Sequence, residues 1–177
     1  MGFFRGPLAA TAVGMLGIGL GSYLLRRSHR TYAANLTLAA FMTVILLAAH
    51  EGLVRYYTIL GSRGLAQTIS DAEQTQPHPD DLIVIDGELT SGSTLIFYTG
   101  QQVHLINGRV NGLWYGSFWP DAPHIFETED SLRQLWAGPR RIFLFTYDPT
   151  TRAKDLGPYG PVHTLASAGG KTVLTNH

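Results

Sequence analysis

The hydrophobic residues of this chain are concentrated in two long stretches near its start. The first, from Pro7 to Leu25, contains no charged side chain, and the second, from Tyr32 to Ala49, has Asn35, Thr37 and Thr43 as its only polar side chains. As a helix rising about 1.5 Å per residue, each stretch is long enough to cross a hydrocarbon core of about 30 Å. The pattern therefore predicts two transmembrane helices.

The loop between these stretches indicates their orientation. Residues 26–30 read RRSHR, whereas every acidic residue of the chain lies at or after Glu51. Short basic loops stay in the cytoplasm. We therefore expect a multi-pass protein of the inner membrane, with its C-terminal domain on the periplasmic side. A cleaved signal peptide is the alternative for the first stretch, but its single preceding arginine and the basic run after it fit that interpretation poorly.

Small residues are frequent in the first stretch, where Gly17 and Gly21 lie four positions apart. Small side chains let a neighbouring helix approach closely. We expect close helix packing along this face, which would allow the helix to recruit a partner. The alternative is that glycine and alanine are simply tolerated in lipid.

The chain becomes amphipathic after the second stretch. Apolar residues recur at near-helical spacing from Leu53 to Glu73, and a glycine at position 61 weakens a continuous helix. We predict a helix broken near Gly61, a second piece over Arg63–Ala72, and a proline-containing loop over Gln74–Asp80.

The remaining residues alternate between strand and helix patterns. The expected strands are Leu82–Asp86, Val103–Ile106, Arg141–Tyr147, Val162–Ala166 and Thr172–Thr175, and the expected helices are Ser91–Thr99 and Asp130–Trp136. We expect the last two strands to form a hairpin turning on Gly169-Gly170. Such alternation favours a small, three-layer-like α/β fold. The predicted domains are residues 1–60 in the membrane, 61–80 as helix and linker, and 81–177 as the extracytoplasmic α/β domain.

Local signals add detail to these elements. A serine, Ser91 or Ser93, is expected to cap the first of these helices and Gly100 to end it. Asp130 or Ser131 is expected near the start of the second. Residues Leu113–Pro123 are aromatic and proline-rich, which predicts an ordered loop.

Composition excludes several classes of function. The chain has no cysteine, and its seven histidines include no pair spaced for metal binding on a helix. Thirteen basic residues balance thirteen acidic ones, which argues against a nucleic-acid partner. No complete catalytic motif is present. The sequence thus predicts no cofactor and no metal.

Two acids follow the first predicted strand. Asp86 and Glu88 precede a Gly-Ser-rich turn that contains Ser91. Ligands of α/β sheets bind at the carboxyl ends of strands, so these residues are candidates for holding a sugar hydroxyl or a phosphate. The alternative is that the acids are solvated or act as helix caps.

The most unusual segment runs from Asn107 to His124. It combines turn residues with Arg109, Trp114 and other aromatic side chains. Aromatic, amide and guanidinium groups suit a carbohydrate or a lipid phosphate. Docking on the membrane surface or on other helices is a second interpretation. A third is that the rings fill the core beneath a long loop.

Three sequence elements carry a resemblance to a known family. They are FYTG at Phe97–Gly100, which contains Tyr98, NGR at Asn107–Arg109, and the GPRR-strand element at Gly138–Phe145. The chain resembles the C-terminal portion of bacterial membrane glycosyltransferases similar to dolichyl-phosphate-mannose protein mannosyltransferases and to the lipid A aminoarabinose transferase. The candidate ligand or interface contacts are Asp86, Glu88, Ser91, Tyr98, Asn107, Arg109 and Trp114.

The resemblance implies transfer of a sugar from a polyprenyl-phosphate carrier outside the cytoplasm. Its implied partners are membrane lipid, other transmembrane helices of a glycosyltransferase, and a polyprenyl-phosphate sugar or glycan. The family's catalytic carboxylates lie in a first extracytoplasmic loop that has no counterpart here. We therefore expect a C-terminal module without independent catalysis. The alternatives are a membrane-tethered binding or assembly protein and, less favoured, a hydrolase using Asp86 and Glu88.

Overall fold

The structure of the protein is a computed structural model, which describes residues 4–78 and 80–177, apart from the side chains of residues 58–60. The chain divides into two compact units, Met1–Leu60 and Gly61–His177. Each unit has its own packing.

The first unit is a hairpin of two apolar helices. The first helix comprises α1 (Arg5–Leu16), a π-helical turn (Gly17–Gly21) and α2 (Ser22–Arg27), and the second is α3 (Thr31–Leu60). Both are long and apolar enough to cross a membrane, over Arg5–Arg27 and Thr31–Tyr57. Only 6% and 11% of their most apolar windows are buried within the protein, so neither resembles the core helix of a soluble domain.

Glycines on the first helix allow the two helices to pack closely. Gly14 faces Ile45, Gly17 faces Phe41 and Gly21 faces Thr37. A Cβ atom added at Gly17 would lie 2.5 Å from the Phe41 ring. The expected close packing is confirmed, but the helix that fills the glycine face is α3 of the same chain rather than a recruited partner.

The second unit begins with an amphipathic helix. Residues Gly61 and Ser62 interrupt the helical path, and α4 runs from Arg63 to Thr75. The predicted break near Gly61 is therefore confirmed. Helix α4 buries Leu65, Ala66 and Ile69 in the domain.

A six-stranded mixed sheet forms the centre of this unit. The strands are β1 (Leu82–Asp86), β2 (Val103–Ile106), β3 (Phe126–Glu127), β4 (Ile142–Thr146), β5 (His163–Ala168) and β6 (Lys171–Thr175), in the order β3-β2-β1-β4-β6-β5. Strands β1 to β4 are parallel, and β6 runs antiparallel to both β4 and β5. The predicted β5–β6 hairpin is confirmed, with Gly169 and Gly170 at positive φ in its turn.

Helices cover both faces of the sheet. Ile83 and Ile85 of β1 pack in one buried cluster with side chains of α4 and of α5 (Leu89–Thr99). Val84, between them in sequence, packs in a second cluster with α7 (Glu129–Ala137) and α8 (Pro149–Leu156). Because successive strand residues point to opposite faces, the alternation builds two cores. The predicted three-layer α/β fold is confirmed.

Several local predictions need correction. Helix α5 begins at Leu89 with Glu88 at its N-cap position, and neither Ser91 nor Ser93 caps it. The Ser91 hydroxyl instead donates to the Glu88 carbonyl. Serine inside the first turn can bond back to the preceding turn, so a serine near a helix start does not identify the cap.

Asp130 and Ser131 lie in the first turn of α7, as expected, although neither is the cap. Thr128 is its N-cap, and the Thr128 hydroxyl accepts from the Ser131 amide at 3.1 Å while the Ser131 hydroxyl accepts from the Thr128 amide at 2.8 Å. This reciprocal pairing is a capping box built with serine. Asp130 lies within the first turn, where its charge favours the helix dipole.

Several elements of the second unit were not expected. The predicted loop Leu113–Pro123 contains a one-turn helix, α6 (Leu113–Gly116). Strand β3 has only two residues, and α8 lies in a segment without a helical prediction. The two shortest, α6 and β3, depend on tertiary contacts more than on their own sequence pattern.

Candidate functional site

Polar side chains meet at the carboxyl ends of three neighbouring strands. Asp86 ends β1, Asn107 follows β2 and Thr146 ends β4. The Asn107 amide donates to Asp86 Oδ1 at 3.2 Å, and the Thr146 hydroxyl donates to Asp86 Oδ2 at 2.9 Å. Strand β1 lies between β2 and β4, where the order of the parallel strands reverses, and such positions are the usual ligand sites of α/β sheets.

An arginine from α8 occupies this position. Arg152 donates from Nε to Asp86 Oδ2 and from Nη2 to Asp86 Oδ1, each at 2.7 Å. It also donates from Nη1 to Glu129 Oε2 at 2.7 Å. The fork geometry of guanidinium matches a carboxylate, so this is a strong, directional pair.

The electrostatics of the pair follow from these contacts. Burial alone would raise the pKa of Asp86, but hydrogen bonds and charge from Arg152, with hydrogen bonds from Thr146 and Asn107, hold that pKa below its ordinary value. The hydrogen bond to Asp86 raises the pKa of Arg152, against the opposing effect of its burial. Asp86 is therefore a fixed anion surrounded by donors, which is unsuited to proton transfer at neutral pH.

Helix α8 positions Arg152 from a strong start signal. The Asp148 carboxylate accepts from the Thr151 amide at 3.1 Å and from the Thr151 hydroxyl at 2.7 Å, and Pro149 occupies the first turn. These hydrogen bonds from Thr151 lower the pKa of Asp148. The Asp-Pro pair was a readable helix-start signal that sequence reasoning missed, and Arg152 was missed with it.

The other residues predicted beside Asp86 do not join this network. Glu88 makes no side-chain capping bond at the start of α5. Ser91 bonds the Glu88 carbonyl. Among the candidates that the structure describes, hydrogen bonds join Asp86 to Asn107 and Ser91 to the backbone of Glu88. Glu129, Thr146 and Arg152 complete the cluster around Asp86.

Tyr98 lies on α5, away from any strand end. Its ring packs edge-on against Phe97 with centroids 5.1 Å apart, and the Arg63 guanidinium lies 5.7 Å from the Tyr98 centroid. These contacts place Tyr98 between the last turns of α5 and the start of α4.

Arg109 has a structural position in the aromatic segment. Its Nη1 donates to the Ser117 carbonyl, and its guanidinium lies 4.8 Å from the Phe118 ring and 4.5 Å from the Phe126 ring. It lines an open cavity of about 540 Å³ together with Trp119 and other residues of 117–127. Arg109 therefore fixes the loop that carries the aromatic rings.

Trp114 belongs to the exposed side of that loop. Its ring meets Phe118 edge-on at 5.1 Å, and Trp114 is about half exposed, while Tyr115, Phe118 and Trp119 are more exposed still. The interpretation that these rings fill the core is wrong. The tryptophan of the core is Trp136, whose indole donates to the Pro161 carbonyl at 3.1 Å.

A further polar contact links β2 to β3. His104 Nδ1 lies 2.6 Å from Glu127 Oε1, and the Ser131 hydroxyl donates to the other oxygen of Glu127. Because the serine contacts the carboxylate and not the imidazole, this is no nucleophile–base pair. Within the described parts of the chain, no group of three or more histidine, aspartate or glutamate residues is arranged to hold a metal.

Together these features define a class of architecture: a hairpin of two membrane-capable helices followed by a three-layer α/β domain. Solved structures share it over 99% of this chain. ArnT from Cupriavidus metallidurans in the apo state matches with a TM-score of 0.64 at 20% sequence identity. The same protein bound to undecaprenyl phosphate matches with a TM-score of 0.65, also at 20% identity.

The chain covers only 31% and 30% of those two ArnT chains. No family model and no curated protein matches the sequence. At this identity the likeness establishes the fold, and the sequence resemblance to the aminoarabinose transferase is confirmed in that respect.

Proposed function

We propose that this chain is the membrane-anchored C-terminal module of a polyprenyl-phosphate-sugar-dependent glycosyltransferase, with catalysis residing on other helices of that enzyme. One observation carries the proposal: the helical hairpin and the α/β domain are matched together, in one ArnT structure that binds undecaprenyl phosphate. A shared α/β domain alone would carry little, because such folds host many functions.

The hairpin supports a location in the inner membrane. Its exposed surface is dominated by leucine and other aliphatic side chains, including Leu16, Leu46 and Leu47. A surface of this kind needs lipid or another helix to cover it. With Arg26–Arg30 in the cytoplasm, residues 61–177 lie on the periplasmic side.

A groove on the hairpin supports a contact with further helices. It has a volume of about 380 Å³ and is lined by Val13, Leu16, Gly17, Leu20, Gly21, Leu24 and Phe41. We assign its occupant as a transmembrane helix of the glycosyltransferase, because its lining is apolar and helices in lipid associate by van der Waals packing. The glycine row that faces α3 does not favour the rival function, a tether that recruits a partner by that row.

The absence of independent catalysis is supported by the strand-end cluster. Asp86, the acid at the expected ligand position, is paired with Arg152 and accepts from Thr146 and Asn107. A nucleophile or general base there would require breaking a buried ion pair, which costs about 3–5 kcal/mol. The chain is therefore proposed to position the enzyme's membrane helices or its lipid carrier, and not to perform the transfer.

Two measurements test the proposal. The first reconstitutes the full chain alone with undecaprenyl-phosphate-linked aminoarabinose and lipid A, and we expect no sugar transfer. The second measures transfer of the same sugar in membrane vesicles from cells that lack the chain, and we expect a loss that the wild-type chain restores.

Matched variants make the second measurement specific. Leu20→Trp fills the groove, whereas Leu47→Trp adds the same ring at an exposed position that does not line it. We expect Leu47→Trp to restore transfer and Leu20→Trp to fail. Transfer by the chain alone, or unchanged transfer in vesicles that lack it, contradicts the proposal.

A further inference from the structure

Four aromatic side chains form an exposed patch on the loop after β2. Trp114, Tyr115, Phe118 and Trp119, here called the aromatic patch, are 51%, 81%, 61% and 67% exposed. Large aromatic rings contribute strongly to cores and interfaces when buried, so four of them exposed on one short loop require an explanation.

The patch is held in place by its own contacts. The Ser117 hydroxyl donates to the Trp114 carbonyl at 2.9 Å, and the Ser117 amide donates to the Leu113 carbonyl at 3.1 Å. Arg109, which donates to the Ser117 carbonyl, lies against the Phe118 ring. The rings therefore lie on an ordered turn. Little further conformational entropy of the backbone is lost when a partner binds there.

The composition of the patch fits the headgroup layer of a bilayer. Tryptophan and tyrosine combine an apolar body with a polar tip, and this makes them the residues enriched at membrane–water interfaces. Between Leu113 and Phe126 the only acidic residue is Asp121, so little negative charge opposes contact with anionic lipid.

The connection to the hairpin keeps a bilayer within reach. Only Gly61 and Ser62 separate α3 from α4, and two residues span at most about 7 Å. A domain of this length has a radius of gyration of about 13 Å. Because the domain is tethered to the hairpin, the effective concentration of lipid at the patch is high. The patch can therefore meet the bilayer without the help of another protein.

We propose that the aromatic patch inserts into the headgroup layer of the bilayer and so fixes the orientation of the α/β domain over the membrane. This inference rests on the membrane anchoring in the proposed function and does not depend on sugar transfer. Lipid is a second contact for the domain, in addition to its covalent link to the hairpin.

The three tryptophans allow a direct test in the full chain. Trp114 and Trp119 belong to the patch, whereas Trp136 is buried in the domain core and serves as an internal reference. The chain is reconstituted in phosphatidylcholine–phosphatidylglycerol vesicles with or without phosphatidylcholine brominated high on the acyl chain. The patch signal is the emission of the wild type minus that of a Trp114→Phe/Trp119→Phe variant.

We expect brominated lipid to reduce the patch signal roughly twofold and to leave Trp136 emission unchanged, as for tryptophan at the interface. A Tyr159→Trp probe in the double variant supplies the matched control, because Tyr159 is exposed in the short turn after α8, outside the patch. Its emission is expected to resist the brominated lipid.

Three results would overturn the inference. The first is a patch signal that aqueous iodide quenches and brominated lipid does not. The second is equal lipid quenching of the Tyr159→Trp probe. The third is protection of the patch signal from iodide only after an oligosaccharide or a second protein is added. Flotation of the vesicles after alkaline carbonate separates the two proposals. A chain that floats but shows no lipid quenching retains its anchor and loses the patch contact, whereas a chain that does not float contradicts the membrane anchoring itself.

Discussion

Replacing Asp86 by asparagine tests the interpretation of the strand-end cluster as an ion pair that stabilises the domain. Asparagine keeps the shape of the side chain and removes its charge, so Arg152 loses a charge-matched, two-bond partner. It retains Glu129, whose side chain is 42% exposed. The change therefore isolates the less exposed of the two carboxylates that pair with Arg152, since the Asp86 side chain is 16% exposed.

The structure sets the expected magnitude. Removing one partner of a buried ion pair destabilises by about 3–5 kcal/mol. Glu129 still compensates part of the Arg152 charge, so we expect about 3 kcal/mol, the lower end of that range. The matched control is Glu129→Gln, which removes a partly exposed partner with a single bond to Arg152 and is expected to cost about 1 kcal/mol or less.

Urea unfolding of the full chain in detergent provides the assay. All three tryptophans lie after residue 61, so fluorescence reports on the α/β domain and not on the hairpin. The free energy of unfolding is obtained from the midpoint and slope, and an unchanged slope shows that only stability has altered.

The pH dependence gives a second, independent check. The pKa of Asp86 in the folded protein lies below its ordinary value of 3.8, so its contribution is present above that value and disappears as the pH falls through the folded pKa. The difference in unfolding free energy between wild type and Asp86→Asn should be constant from about pH 8 to about pH 5 and shrink below about pH 4. Equal costs for Asp86→Asn and Glu129→Gln, or a difference that persists in acid, would refute the reasoning.

Three further substitutions test the packing. Gly17→Leu should push the first helix away from α3, because even a Cβ at this position would lie 2.5 Å from the Phe41 ring. Crosslinking of a cysteine pair introduced elsewhere on the two helices should then fall, and Phe41→Ala should restore the crosslinking. Gly92→Ala places a Cβ 2.6 Å from the Ile85 side chain and should cost about 1–3 kcal/mol of unfolding free energy, partly recovered by Ile85→Val. Burial lowers the pKa of Lys171 below its ordinary value of 10.5, so the charged side chain opposes folding at neutral pH. The free energy of unfolding of the wild type should rise as the pH increases from the folded pKa toward 10.5, and Lys171→Met should abolish this rise.

Sequence patterns predicted most of the regular elements because each has a period or a boundary residue of its own. Strand β1 and strand β2 were placed to the residue, since short β-branched runs between turn residues leave little freedom. The first apolar helix was placed within two residues at each end, because length and absence of charge suffice for it. The second was placed correctly at its start, but α3 continues eleven residues beyond Ala49 through the amphipathic segment. Gly100, at φ 67°, ends α5 as predicted, because glycine tolerates the left-handed conformation.

The site was less predictable because its members come from distant positions. Asp86 and Arg152 are 66 residues apart in sequence, and only the parallel order of β1 and β4 brings α8 to the end of β1. The sequence indicated an acid at a strand end but not the arginine that neutralises it. The same holds for the aromatic segment, where composition left a ligand contact, a docking surface and a core open, and the exposure of Trp114 excludes only the core.

The π-helical turn at Gly17–Gly21 affects how this hairpin tolerates changes in length. A π turn contains one residue more than the α-helical turn it replaces, since its hydrogen bonds span five residues in place of four. Deleting one residue from this turn would let the helix close into regular α geometry, with the basic loop and the face of α1 that packs on α3 both kept in register. The first helix of the hairpin can therefore shorten by one residue here without rotating its two halves against each other. No purely α-helical stretch of the hairpin allows this.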